Sequence, residues 1–90
     1  MITGKTASGF SYSVDPEIVK DYEYLELAAG VRNDGLLFPS LVEFTLGKEQ
    51  KNALVAHLKG IHGRARTEDL TAEYAEIVKA MAAEDSDVKN

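Results

Sequence analysis

The strongest constraint in this chain is the spacing of Leu70, Tyr74, Ile77, Val78 and Met81, which recur at intervals of four, three, one and three residues. That period places all five on one side of a helix and predicts a single apolar face pressed against a core. Thr67 stands at its head, with Glu68 and Asp69 in the first turn, where acids complement the helix dipole. A second stripe, Lys51, Leu54, Val55, Leu58 and Ile61, follows Gly47 and approaches Gly60, and predicts a helix before it.

The first half of the chain is less clear. "ASGFSYSV" alternates Phe10, Tyr12 and Val14 with serines, the period of a half-buried strand, and one strand needs a partner from this chain or from another copy. "DPEIVKDYEYLELAAG" opens with Asp15 as N-cap and Pro16 at the first helical position, so a helix is expected to Ala29-Gly30 with Ile18, Tyr22, Leu25 and Ala29 inward. Asp21, Glu23 and Glu26 then form an acidic outer face. "YEYLEL" also alternates like a strand. After the Asn33-Asp34-Gly35 turn come Leu36, Leu37 and Phe38, and Pro39 should hold Phe38 extended. Residues 39–47 fit a short helix, although Val42, Phe44 and Leu46 also fit a strand, so 11–14 and 41–46 are each open between strand and helix. The fold class expected is mainly α, a small helical domain over residues 1–84 with a short N-terminal β-strand or hairpin, and a flexible acidic tail at 85–90.

Ninety residues allow one modest core, burying roughly 60 to roughly 70% of the unfolded surface. The formal charge of −5 is unevenly spread. Residues 47–66 carry Lys48, Lys51, Lys59, Arg64 and Arg66 against Glu49 alone, a net of +4, and the remainder carries −9. An acidic total argues against a dedicated nucleic-acid binder, and the rings Phe10, Tyr12, Tyr22 and Tyr24 stand among acids that would repel phosphate. No apolar run approaches the ~20 residues of a membrane span, and residues 1–10 lack the pattern of a signal peptide. With no cysteine there is no disulfide or thiolate chemistry, and a cytoplasmic protein is expected.

No constellation for catalysis, cofactor or metal emerges. His57 and His62 are five apart with Gly60 between them, whereas a metal pair on one helix face wants three or four. Ser8, Ser11, Ser13 and Ser40 lack a nucleophile-elbow context, and "GKT" at Gly4 to Thr6 lacks the frame of a phosphate loop. Glu23 and Glu26 read as a solvated helix face.

The order of segments has a parallel. An "SGF" segment, the acidic-aromatic "DYEYLELAAG", "LGKEQKNALVAHLKG" and then "GRARTEDLTAEYAEIVKAM" together resemble the tail assembly chaperones of long-tailed, siphovirus-type bacteriophages, over about residues 8 to 82. The motifs are weakly specific, since none carries chemistry. The resemblance implies a mainly helical, non-catalytic assembly factor in the cytoplasm of a host bacterium. Its expected partners are the tape measure protein, the tail tube protein and other copies of itself, and it is lost from the finished virion. In this group a frameshift often adds a longer form. Candidate partner-binding residues are Leu36, Leu37, Phe38, Lys48, Lys51, Lys59, Arg64 and Arg66. The alternative is a small regulatory or antitoxin-like binding protein, which tight, salt-sensitive DNA binding would favour.

Overall fold

The computed structural model describes residues 1–89, with side chains through Ala83, so the tail expected at 85–90 lies outside the residues described in full. The fold is mainly helical with an N-terminal hairpin. Strands β1 (Ile2–Lys5) and β2 (Ser11–Val14) pair antiparallel in the register Ile2↔Val14, Gly4↔Tyr12 and Lys5↔Ser11. The strand expected at 11–14 therefore finds its partner within the same chain, in a segment whose own sequence gives little strand signal. A Cβ on Gly4 would meet the Tyr12 hydroxyl oxygen at 2.5 Å, so Tyr12 lies across a position that has no room for a side chain.

Four α-helices follow: α1 (Tyr22–Asn33), α2 (Phe38–Leu46), α3 (Lys48–His62) and α4 (Thr67–Lys89). The 41–46 segment is helix. Helix α1 packs on α2, α2 on α3, α3 on α4, and β2 on α2. Gly47 (φ 84°) and Gly63 (φ 82°) turn the chain at the two ends of α3. Other residues rarely adopt these conformations. Gly60 lies inside that helix.

The core comprises Phe10 and Val14 from the hairpin side, Leu41, Val42 and Leu46 from α2, Leu54 and Leu58 from α3, and Tyr74, Ile77 and Met81 from α4. The α4 stripe read from the sequence is thus the inward face, and Leu54 and Leu58 bury as expected while Ile61 is exposed. Buried Thr45 and Tyr74 share a hydrogen bond of 2.8 Å, and the Thr45 hydroxyl donates to the Leu41 carbonyl. Burial pushes the Tyr74 phenol far above its usual range, against the opposing pull of Thr45, because a buried site disfavours the charged form. It stays neutral.

The single helix expected from Asp15 to Gly30 is not formed. Asp15 does cap with Pro16 at the first position, but the segment it starts is a short 3-10 helix, Pro16–Lys20, that packs against α4. Asp21 is extended (φ −76°, ψ 136°) and accepts a hydrogen bond from the Glu23 N–H at 2.8 Å. That bond restarts the chain as α1, in the manner of an N-cap. Two successive cap residues divide what the pattern joined. The restart also changes which face is buried: Tyr22, Leu25 and Ala29 point to solvent, while Tyr24, Leu27, Ala28 and Val31 pack against the core.

Helix α1 also continues through Gly30 to Asn33. A Cβ on Gly30 would meet Leu37 Cδ1 at 2.8 Å, so this glycine lets Leu37 close on the helix. The Leu36-Leu37-Phe38 segment is not an extended loop either. Asp34 caps a 3-10 turn, Gly35–Leu37, that runs directly into α2, and Phe38 is helical (φ −56°, ψ −44°) in spite of Pro39. The helical geometry won there because Phe38 occupies the first turn, and its ring packs edge-on against Tyr74 at 5.6 Å. Edge-to-face contact is a favoured arrangement for two rings.

Candidate functional site

Three features carry polar or apolar groups that the core does not absorb. The first is the tip of the hairpin. The Thr6 hydroxyl donates to Glu73 Oε1 at 2.6 Å and the Ser8 hydroxyl donates to the same oxygen at 2.9 Å. The Ala7 N–H is shared between the two carboxylate oxygens of Glu76, at 3.0 and 3.2 Å. His57 on α3 completes the cluster, with Nε2 at 3.1 Å from Ser8 Oγ and 3.2 Å from the Ser8 carbonyl. Its ring leans on Phe10 at 5.6 Å.

Serine, histidine and carboxylate in contact invite comparison with a hydrolytic triad, but the hydrogen bonds run the wrong way. A carbonyl oxygen only accepts, so the Nε2 that faces it is assigned the hydrogen and donates. Such a nitrogen cannot take the Ser8 proton, which is directed at Glu73 instead. In a triad the acid orients the histidine; here it holds the serine. The arrangement pins the hairpin tip to α3 and α4. His57 is a boundary histidine with a defined partner, and His62 faces Asp69 at 3.8 Å.

The second feature is a groove of about 430 Å³ between α1, α2 and α3. Leu27, Pro39 and Phe44 line it with apolar surface, and Lys48, Lys51 and Glu43 supply its charges. Lys51 pairs with Glu43 at 3.2 Å, whereas Lys48 has no ion pair among the described residues. Lys59, Arg64 and Arg66 belong to the other end of α3. Lys48 and Lys59 are eleven residues apart, about 16 Å along the helix axis, so the basic strip of the sequence divides into two groups. In the second group Arg66 lies 3.8 Å from Glu68.

The third feature is the outer side of α1. Tyr22 and Leu25 are 69% and 60% exposed, and Leu36, just beyond the helix, is 86% exposed. Glu23 and Glu26 flank the first two, exposed and with no cation partner among the described residues. Of the three apolar residues after the turn, only Leu36 faces solvent, held there because its N–H donates to the Asp34 carboxylate at 3.1 Å; Leu37 and Phe38 turn inward.

Neither the hairpin-tip cluster nor the groove could be read as a motif. The cluster joins residues 49 to 69 positions apart, and the groove gathers single residues from three helices. Comparison with known protein families, curated proteins and solved structures finds no match for this chain. Among the described residues, no helix is long and apolar enough to cross a membrane.

Proposed function

We propose that this chain is a non-catalytic tail assembly chaperone of the long-tailed phage type, working in the cytoplasm of a host bacterium. In this reading it binds the tape measure protein, helps the tail tube protein assemble around it, associates with copies of itself, and is absent from the finished virion. The observation that carries the reading is apolar surface left in water, Leu36 on the turn after α1 for a client and Tyr22 and Leu25 on the outer side of α1 for another copy. Covering one such side chain is worth about 1.5 to 3 kcal/mol to a partner. The backbone of Leu36 is already held by the Asp34 cap, so little backbone ordering opposes its use. The resemblance over residues 8 to 82 supplies the identity of the client.

The test is a titration of the protein against the helical tape measure protein of the same phage. Leu36→Ser should weaken that binding by about tenfold, the loss of one apolar anchor, and leave the melting temperature within a degree or two. The double variant Leu37→Ser with Phe38→Ser should instead lower the melting temperature strongly, because those two side chains pack inward. Wild-type protein that fails to bind the tape measure protein at any salt concentration would end this reading.

A further inference from the structure

The groove beside α2 and the outer side of α1 match each other in chemistry. One is an apolar floor of Leu27, Pro39 and Phe44 with Lys48 on its edge; the other is an apolar ridge of Tyr22 and Leu25 with Glu23 and Glu26 on its flanks. A side chain that seats a ring or a leucine on the floor brings an acid toward a lysine. Each surface carries charge without a partner among the described residues: Lys48 in the groove, Glu23 and Glu26 on the ridge.

The two surfaces cannot meet within one molecule. Leu27 lines the groove, and at 100° per residue it lies about 140 to 160° around α1 from Tyr22 and Leu25. Ridge and groove therefore sit on opposite sides of the same helix. Arg32, at the far end of the ridge, is seven residues beyond Leu25, so the first half of α1 keeps its acidic character.

We propose that copies of this chain dock head to tail, with the Tyr22/Leu25 ridge of one copy seated in the lysine-edged groove of the next. Such a contact is heterologous: it uses two different patches, so each added copy leaves a free ridge at one end and a free groove at the other. The product is an open row or a closed ring, not a two-fold dimer. Leu36 and the basic group at the end of α3 remain outside the contact and available to a client. The docking needs no client to form.

Charge reversal tests this on the full chain by sedimentation velocity in low salt. Wild-type protein should form species larger than a dimer as concentration rises, and high salt should shift them toward monomer. Glu23→Lys with Glu26→Lys places a basic ridge opposite a basic groove, and Lys48→Glu with Lys51→Glu places an acidic groove opposite an acidic ridge. Each double variant alone should associate about a hundredfold more weakly, because like charges are brought together. An equimolar mixture of the two should associate again, since every ridge then finds a groove of opposite sign. Melting curves guard against a folding defect in the groove variant, which also loses the Lys51–Glu43 pair; Leu25→Ser, on the exposed ridge, should weaken association without that risk.

Three results would overturn the proposal: wild-type protein that stays monomeric in low salt at high concentration, association that both reversals leave intact, or a two-fold dimer as the only product. Reversals that leave the mass unchanged but abolish client binding would assign the groove to the client and also reject the second copy as its occupant. Loss of client binding with the self-association pattern intact would count against the proposed function and leave this contact standing.

Discussion

Helices α1 and α4 are both amphipathic, and they are used in different ways. Tyr74, Ile77 and Met81 of α4 are buried in the core, with Ile77 and Met81 fully enclosed. Helix α1 has no fully buried residue; its inner side chains are half covered, and two of its larger apolar groups face water. One helix stabilises the molecule and the other covers it. A half-buried helix started by the Asp21 cap and closed by the Asp34 N–H on the Gly30 carbonyl can hold its place while exposing a surface that a core helix would have consumed. The comparison locates stability on α4 and, in the proposed reading, recognition on α1.

The largest effect should come from the α4 side. Ile77→Ala removes a side chain with no exposed surface and should cost about 2 to 5 kcal/mol, read as a lower midpoint in chemical denaturation. If it cost less than the change on α1 described below, the division between the two helices would fail.

An intermediate effect is expected at the polar contact between α4 and the hairpin. Glu73→Ala leaves the buried Thr6 hydroxyl without its 2.6 Å acceptor and the Ser8 hydroxyl without its 2.9 Å one. The expected cost is about 1 to 3 kcal/mol, the range for unsatisfying buried polar groups. Hydrogen exchange sharpens the result: the amides of Thr6, Ala7 and Gly9 should lose protection before those of α2 and α3. Uniform loss across the molecule would mean that the hairpin is not a separate unit held down by α4.

The smallest effect should be on the outer side of α1, where Leu25 is exposed. Leu25→Ser should change stability by no more than about 0.5 kcal/mol, as exposed substitutions do. A large loss would place Leu25 inside the folded molecule, as its spacing with Ile18 and Ala29 suggests from the sequence.

That misplacement shows what could be read and what could not. The α4 stripe has one solution, because the residues between Leu70, Tyr74, Ile77 and Met81 are mostly charged or small. Helix α1 has two: Tyr22, Leu25 and Ala29 fit a helical period, and so do Tyr24, Leu27 or Ala28 and Val31. Local pattern cannot choose between them. The choice is made by the second cap at Asp21 and by the close approach of Leu37 to α1 at Gly30. The alternation at Ser11–Val14 pointed to the strand that forms there while leaving helix open, whereas β1 gave no such signal, because Thr3, Gly4 and Lys5 acquire their meaning from the pairing. The hairpin-tip cluster depends on contacts across most of the chain. Only the folded molecule brings its members into view.

The hairpin tip has a further consequence for how the chain is made. Translation delivers Thr6 and Ser8 first, while the carboxylate that receives both hydroxyls arrives 67 and 65 residues later. At synthesis rates of about 5 to 20 residues per second, that interval is roughly 3 to 13 s. The strands can pair within microseconds, yet the tip has to remain hydrated until Glu73 and Glu76 leave the ribosome. The tip is thus made well before the residues that fasten it, and its closure waits on α4.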